Sequence, residues 1–282
     1  MHDLVLATSF LDPIVNVVTA IINFINIPVH NLGWSLVIFA LLVRLAFWPL
    51  NTAQFKTMIG MQKIAPRIKA LQAKYKAKPD PQKMQQEQMA LYKEAGVNPM
   101  AGCLPLLIQM PIIFSVYWAV RNNIAEYTGA TWGWIGSALS AHSPSIFNIS
   151  VLAADLSKPD IILLVVYILS MYVSMRYTSM PSTDPAQAQT QKMMALFSPA
   201  MIAYFGFQQK WPSAMILYWT SLNVFTMAQQ LYLLRRYHQP LSILDSEHAI
   251  TDDVVADPEP LPKAKPTANG SSSRRNRKRS RR

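Results

Sequence analysis

Long apolar stretches separated by polar segments dominate the pattern of this chain. Five stretches are long enough to cross the hydrocarbon core of a membrane, which takes roughly 17–25 helical residues. They are approximately Leu32–Leu50, Cys103–Arg121, Asp160–Thr178, Met193–Gln209 and Ser213–Leu234. The pattern predicts an all-α membrane protein whose core, residues 32–238, contains five transmembrane helices.

The segment before the first predicted span, residues 1–31, holds a shorter apolar stretch. Residues 13–27 are apolar, with Asn16, Asn23 and Asn26 interspersed. Fifteen residues are too few for a comfortable span. We therefore predict a helix that lies in the outer membrane interface, and a short sixth span remains the alternative.

Lysine and arginine are divided very unevenly between the loops. If the N-terminus is outside, the inside segments 51–102, 179–192 and 235–282 carry 21 of these residues, and the outside loops 122–159 and 210–212 carry two. Positive residues are retained on the cytoplasmic side. The split predicts an external N-terminus and a cytoplasmic C-terminus.

The first inside segment, residues 52–96, has the spacing of a helical hairpin. Its apolar seam recurs at intervals of three and four residues, in the order Met61, Ile64, Ile68, Leu71 and Tyr75. The prolines of Lys78-Pro79-Asp80-Pro81 break the first helix, and a second helix, Gln82 to Ala95, ends at Gly96. Candidate contact residues on this hairpin are Lys63, Arg67, Lys74 and Lys76. A solvated face beside anionic headgroups is a sufficient account of most of its lysines.

The segment after the last predicted span, residues 239–282, is polar and rich in proline. Such a composition cannot bury a core, so we expect disorder. An acidic stretch comes first, followed by a basic cluster made of Arg274, Arg275, Arg277, Lys278, Arg279, Arg281 and Arg282. From charge alone, this cluster fits either anionic lipid or an RNA backbone.

Arg44 is a charge inside the first predicted span. It stands six residues before Leu50, so about 9 Å of helix separates it from the cytoplasmic end. An arginine at such depth costs at least about 2.5 kcal/mol and normally faces protein or water. No Asp or Glu lies in the interior of a predicted span. A water-filled cavity that attracts an anionic group is therefore the favoured environment, and a structural arginine bonded to backbone carbonyls is the alternative.

Other polar side chains within the spans are candidates for the lining of the same cavity. Gln109 and Asn223 are costly to bury among lipid tails and favour a polar surface. Serine in a span usually bonds backbone, and a tryptophan near a helix end is commonly an interface anchor. The remaining candidates are Ser170, Ser174 and Trp219.

Sequence patterns of an enzyme are absent. There is no phosphate-binding glycine-rich loop, no HExxH motif, and no Ser/His/Asp arrangement within the spans. The single cysteine, Cys103, excludes an internal disulfide and a Cys-based zinc cluster. We expect a non-enzymatic protein without a cofactor or a metal.

Several motifs together resemble the YidC family of membrane protein insertases, which includes the mitochondrial Oxa and thylakoid Albino proteins. They are Leu42-Val43-Arg44-Leu45-Ala46-Phe47-Trp48-Pro49-Leu50, Val97-Asn98-Pro99, the run Gly102–Ile112, the segment Asp155–Asp160, and Leu217-Tyr218-Trp219 with Gln229-Gln230. The resemblance covers roughly residues 13–238. The resemblance implies a short form of the family, without the large periplasmic domain of the Gram-negative members.

The resemblance implies five helices around a hydrophilic groove that is open to the cytoplasm and to lipid. Arg44 occupies the place of the family's groove arginine, and Trp219 falls where some relatives place a groove aromatic. Some members carry a glutamine in the third span, where this chain has Ser170 and Ser174. The implied activity is insertion and folding of client membrane proteins in the bacterial inner membrane, without nucleotide hydrolysis. The implied partners are clients, lipid, a Sec-type translocon, and the ribosome or its RNA at the basic tail.

Two other functions remain open from the residues themselves. A transporter or channel for a small anion would use Arg44 as its selectivity charge. It would be expected to contain internal repeats, and none is seen. A membrane anchor for an RNA-binding tail is the second alternative, but it leaves Arg44 unexplained.

Overall fold

A computed structural model describes residues 2–77, 80–98, 104–146, 149–178 and 185–237. Within these ranges the fold is almost entirely helical. Its helices are α1 (His2–Val29), α2 (Leu32–Ala46), α3 (Trp48–Ala77), α4 (Pro81–Glu94), α5 (Leu104–Asn122), α6 (Ile161–Thr178), α7 (Pro185–Gln208) and α8 (Ser213–Arg236). The tail 239–282 with its basic cluster, Cys103 and the side chain of Lys76 lie outside the described residues.

Helix α8 is the centre of the bundle. It packs along α2 on one side and α6 on the other, and α1 packs against α2 and α5. The beginning of α8 is buried from Ser213 to Tyr218, which joins the outer ends of its neighbours into one apolar core. Three of the predicted spans agree with α5, α6 and α8 to within two residues at each end.

The first predicted span is wrong at its inner end. Helix α2 stops at Ala46, Phe47 caps it, and α3 leaves at an angle of 56°. Pro49 stands in the first turn of α3, where its missing N–H and fixed φ are tolerated and a new helix direction can begin. Arg44 is therefore in the last turn of α2, beside the bend, rather than six residues inside a straight span.

Helix α7 is also longer than predicted. It begins at Pro185 instead of Met193 and ends at Gln208. The sequence prediction had started at the first long apolar run, but Pro185 at the first helical position favours an earlier start. Pro199 remains inside the helix.

Helix α1 differs most from the sequence prediction in length. It runs through Pro13 and continues to Val29, and its part Leu11–Val29 is long and apolar enough to cross a membrane. The objection that fifteen residues are too few is therefore wrong. Among the described helices no other meets both criteria alone; α2 and α3 meet them jointly as a bent pair, and Ile161–Met175 is a shorter apolar helix.

The surface of α1 has three distinct sides. Its buried side carries Val15, Val18, Ile22 and Ile25 and packs into the core. At 100° per residue, the exposed polar residues Asp12, Asn16 and Asn23 share a second side. Exposed apolar residues occupy the third, and these are Val17, Ile21 and Phe24.

The connection between α5 and α6 forms a compact cap over the end of the bundle opposite the hairpin. It contains two short 3₁₀ turns, Ile124–Tyr127 and Ser140–His142, and a two-stranded antiparallel ribbon, β1 (Ser145–Ile146) with β2 (Ile149–Ser150). Asp160 is 3% exposed, and its carboxylate accepts hydrogen bonds from the backbone N–H of Ala153 and Leu163, both at 2.7 Å. The Trp134 indole donates a longer bond to the same group. One carboxylate thus caps α6 and holds the cap to it.

Main-chain hydrogen bonds also join the cap to α8. The N–H of Ser213 donates to the carbonyl of Lys158 at 2.9 Å, and that of Ala214 donates to Leu156 at 3.0 Å. These bonds satisfy N–H groups at the start of α8 that have no partner within the helix. Gly33 has no room for a side chain, because an added Cβ would lie 2.6 Å from the Trp132 side chain.

Helices α3 and α4 form the predicted hairpin. Ile64 and Leu71 of the predicted seam are buried, while Met61, Ile68 and Tyr75 are half-buried. The side chain of Asp80 caps α4, and Gly96 has φ +64° immediately after its end. The predicted second helix differs from α4 by one residue at each end.

Two ion pairs hold the hairpin together along one edge. Lys74 Nζ lies 3.0 Å from Glu87 Oε2, and Arg67 lies 3.7 Å from Glu94. The Tyr75 hydroxyl donates to Glu87 at 2.8 Å. Hydrogen bonds from Lys74 and then Tyr75 lower the pKa of Glu87, and the bond to Glu87 raises the pKa of Lys74.

We predict that Glu87→Gln loosens the hairpin more than Glu94→Gln, because Glu87 has two partners and Glu94 has one. Amide exchange in α3 and α4 should rise about two- to fivefold for Glu87→Gln, the range for an exposed pair. A carboxylate with a lowered pKa stabilises the fold above its unfolded pKa and loses that effect as pH falls through the folded value. The difference between wild type and Glu87→Gln should therefore begin to shrink as pH falls below the ordinary glutamate value of about 4.3, and vanish once Glu87 is protonated in the folded protein. An equal effect of both variants, or one that persists in acid, would contradict the assignment.

Candidate functional site

Helices α2 and α8 run side by side in the same direction, which fixes the level of Arg44 in the bundle. The ring of Phe39 lies 5.9 Å from that of Tyr218, and Trp48 lies 5.8 Å from Tyr232. Arg44 stands between these two contacts along α2. It is therefore level with the stretch of α8 that carries Asn223 and Gln229.

Arg44 is half-buried, and its Nε atom is fully buried without a hydrogen-bond partner. Both ion pairs found among the described residues are in the hairpin, away from Arg44. Among the residues that the structure describes, Arg44 has no carboxylate within ion-pairing distance. A guanidinium in this condition can still bind an anionic group bidentately.

Several other polar atoms of the bundle share this condition. A buried donor or acceptor that lacks a partner costs about 1–3 kcal/mol, so such atoms are uncommon in a folded protein. Among the described residues, the unpartnered buried atoms are Arg44 Nε, Asn51 Nδ2, Gln109 Nε2, Ser115 Oγ, Trp132 Nε1 in the cap, Tyr218 Oη, and both Nε2 and Oε1 of Gln229.

The unpartnered amide groups lie toward one end of the bundle. Asn51 is in the first turn of α3, just past the bend, and Gln109 is in the second turn of α5, directly after the hairpin. Gln229 is one turn before Tyr232, the partner of Trp48. With Arg44 beside the bend, these side chains mark the hairpin end of the bundle. At the cap end, Asp160 and Ser213 have their partners, whereas Trp132 Nε1 and Tyr218 Oη do not.

The sequence-predicted residues Ser170, Trp219 and Asn223 come together between α6 and α8. Asn223 Nδ2 donates to Ser170 Oγ at 2.9 Å, and Ser170 Oγ donates to the carbonyl of Tyr167. The indole of Trp219 lies between the rings of Tyr167 and Trp211, at 6.1 and 5.0 Å. Ser174 is buried one turn further along α6. The Asn223–Ser170 bond and the ring contacts of Trp219 join α6 to α8, and with Ser174 these side chains form a packed polar seam.

The structure thus divides the predicted groove residues into two groups. Asn223 and Ser170 bond to each other and Trp219 packs between two rings, whereas Arg44 and Gln109 have buried atoms without partners. Sequence reasoning missed Asn51 and Gln229 as candidate lining residues. Gln229 could have been found, because an amide is costly within an apolar helix, but in the sequence it stood out only as part of the Gln229-Gln230 family motif.

The basic residues predicted on the hairpin have different surroundings. Arg67 and Lys74 are engaged by Glu94 and Glu87, respectively, so their charges are largely neutralised within the hairpin. Lys63 is exposed. The described residues contain no cluster of three or more His, Cys, Asp or Glu side chains that could hold a metal ion.

Comparison with known proteins identifies the family. The model of the 60Kd inner membrane protein family matches residues 24–240, which is most of the chain. The chain belongs to this family, that of the YidC proteins. It is 37% identical over 203 residues to the membrane protein insertase YidC of Cupriavidus taiwanensis, covering 71% of this chain and 31% of that protein. It is 40% identical over 207 residues to that of Wolinella succinogenes, covering 72% and 33%.

A solved member of the YidC family has the same fold. It is described as an active YidC insertase crystal structure with the first transmembrane domain resolved, and it is similar with a TM-score of 0.54 and 30% identity. The match covers 78% of this chain and 46% of that structure. The chain spans about a third of the length of the curated relatives.

We predict that Gln229→Leu leaves the free energy of unfolding unchanged or raises it by about 1 kcal/mol, because it removes two buried polar atoms that have no partner. Asn223→Leu is the matched control on the same helix. It breaks the hydrogen bond to Ser170 and should lower the free energy of unfolding by about 1 kcal/mol. Chemical unfolding in one detergent compares the two variants. A clear loss for Gln229→Leu would show that its amide has a protein partner.

Proposed function

We propose that this protein inserts client membrane proteins into the bacterial inner membrane and assists their folding. The observation that carries the proposal is the group of buried guanidinium and amide atoms without partners at the hairpin end, on Arg44, Asn51, Gln109 and Gln229. Family membership supports it, because the relatives are named membrane protein insertases. In this proposal α2, α5, α6, α7 and α8 are the five spans around a hydrophilic groove.

The groove receives the short polar outer segment of a client while the client's apolar segment passes into lipid. Arg44 attracts acidic groups, since a guanidinium in a partly dehydrated site interacts more strongly with an anion than it does in bulk water. The amides of Gln109 and Gln229 supply donors and acceptors that fit peptide groups. The polar seam of Ser170, Ser174 and Asn223, with Trp219, forms the lining on the α6 side.

Partitioning of the client's apolar segment supplies the free energy. Each buried methylene contributes about 0.8 kcal/mol, so a span of ordinary length is driven into lipid without nucleotide hydrolysis. The protein lowers the cost of moving the polar segment, because it replaces water around peptide and carboxylate groups. The activity is therefore that of a chaperone, and the partners are clients and lipid, with a translocon or the ribosome as further partners.

The cap supports closure of the groove toward the outside. Asp160 and the main-chain bonds to Ser213 and Ala214 tie the α5–α6 connection to α6 and α8. In the proposed orientation the cap is external and the hairpin is cytoplasmic. A client segment then enters from the cytoplasm and leaves sideways into lipid.

We predict that Arg44→Gln lowers insertion of a single-span client with an acidic outer tail about tenfold, equivalent to 1.4 kcal/mol. The readout is protease protection of the client in vesicles containing the full-length protein. Arg121→Gln is the matched control, because Arg121 is exposed at the other end of α5 and bonds only to Tyr117 among described partners. Insertion of a client whose tail carries Asn in place of Asp should change little in either variant.

Depletion of the protein tests the function independently of Arg44. The proposal expects small single-span clients to accumulate uninserted after depletion. Normal insertion together with a loss of anion flux would instead favour a channel and overturn the insertase proposal.

We propose further that α1 lies in the outer interface, with the N-terminus outside. Its three sides fit that placement: one packs on protein, the side with Asp12 and Asn23 faces water, and the side with Phe24 faces lipid. A spanning α1 would place Asp12 and Asn23, about 16 Å apart along the helix, at different depths.

Thiol labelling distinguishes the two placements of α1. In a chain carrying Cys103→Ser, we predict that Asp12→Cys and Asn23→Cys both react with an impermeant reagent added outside intact cells. Val18→Cys, on the buried side, should remain unlabelled. Labelling of Asn23→Cys without Asp12→Cys would show that α1 crosses the membrane.

A further inference from the structure

All the charged side chains of helix α3 are basic. It contains six Lys and Arg residues and no Asp or Glu. Four of them follow one another at intervals of seven, four and seven residues, so they share one side of the helix. These residues, here called the basic stripe, are Lys56, Lys63, Arg67 and Lys74.

Helix α4 neutralises only the half of the stripe that is far from the bundle. Glu87 pairs with Lys74 and Glu94 pairs with Arg67. Because α4 ends at Glu94, it offers no acidic group to the nearer half. Lys56 and Lys63 are exposed and have no carboxylate within ion-pairing distance among the described residues.

The chain leaves α8 beside this nearer half. Phe55 packs in a small core with Leu233 and Leu234, and its ring lies 5.8 Å from that of Tyr237. Lys56 Nζ lies 5.9 Å from the centre of the Tyr237 ring. Tyr237 is the last described residue, so the tail begins in contact with the base of the stripe.

The part of the tail that follows has the complementary charge. Residues 238–262 contain no Lys or Arg, and their acidic residues are Asp245, Glu247, Asp252, Asp253, Asp257 and Glu259. Asp245 is eight residues beyond Tyr237, so an extended chain between the two spans at most about 26–29 Å. Lys63 is only about 10 Å along α3 from Lys56. The acidic residues therefore have ample reach to Lys63.

We propose that the acidic segment 245–259 docks in cis on the Lys56–Lys63 half of the basic stripe. The segment supplies there the carboxylates that α4 supplies further along α3. Docking leaves the basic cluster at 274–282 available to a separate partner, and it competes with anionic lipid headgroups for Lys56 and Lys63. The contact is electrostatic and exposed, so salt weakens it.

The test is site-specific photo-cross-linking in the full-length protein. A photoreactive amino acid replaces Val254, within the acidic segment, and the protein is placed in vesicles of zwitterionic lipid. Mass spectrometry then maps the cross-linked residues. The proposal expects cross-links to α3 near Lys56 and Lys63, which decline at high salt.

Matched charge-reversal variants distinguish docking on one face of α3 from an effect of net charge. Lys63→Glu should reduce the α3 cross-link about two- to fivefold, the effect of replacing one exposed attraction by a repulsion. Lys69→Glu changes the net charge equally but lies about a third of a turn around the helix from Lys63, and it should leave the yield nearly unchanged. Asp252→Lys with Asp253→Lys should restore the yield in the Lys63→Glu protein.

Three outcomes would overturn the proposal. Cross-links confined to residues 263–282 would show that the acidic segment pairs with the basic tail. Cross-links only to lipid, or none to α3, would show that the stripe has another occupant. Equal losses for Lys63→Glu and Lys69→Glu would reduce the effect to net charge.

Discussion

The satisfaction of polar groups inside an apolar helix bundle is the constraint on which the rest of this structure depends. A membrane helix bonds its own backbone, but a side-chain amide or guanidinium must find a partner elsewhere. At the cap end the chain supplies those partners itself, through Asp160 and the carbonyls that receive Ser213 and Ala214. Two groups near the cap, Trp132 Nε1 and Tyr218 Oη, still lack a partner. At the hairpin end, all four of the guanidinium and amide side chains Arg44, Asn51, Gln109 and Gln229 retain buried atoms without protein partners.

The two ends of the bundle therefore differ in how their polar side chains are bonded. The cap end is held by hydrogen bonds that cross between loop and helix, and one carboxylate accepts from three donors. The unsatisfied end is polar, lies beside a 56° bend, and adjoins a hairpin that has its own ion pairs and seam. A polypeptide segment that brings water, peptide groups or carboxylates to this end would reduce the cost of the buried polar atoms. Complementarity to a passing polar segment is the physical basis of the proposed insertase activity.

Sequence reasoning succeeded where a single strong pattern determines an element. The bounds of α5, α6 and α8 follow from long apolar runs, and the hairpin follows from a seam with a double-proline break. It failed at the α2–α3 junction, because the apolar run continues to Leu50 while the backbone turns at Phe47 ahead of Pro49. It also predicted that the helix now called α1 begins at Pro13, although the helix starts earlier and extends through that proline.

The candidate site was predictable by residue type but not by arrangement. The isolation of Arg44 from carboxylates could be read from the sequence. That Asn223 bonds to Ser170 while Gln229 has no partner could not, since both are amides on one helix and only the packing of α6 against α8 distinguishes them. Likewise, the charges of Arg67 and Lys74 were visible, but their neutralisation by α4 depends on the register of the hairpin.

Cross-linking from a client held part-way through insertion tests the central claim most directly. A photoreactive residue is placed in the polar outer tail of a single-span client that is stalled on the ribosome, and its contacts on this protein are mapped. The account predicts contacts with the side chains around Arg44, Gln109 and Gln229. Contacts restricted to exposed apolar residues such as Leu41, Leu45 and Leu107 would contradict it, because the client's polar segment would then bypass the unpartnered polar groups.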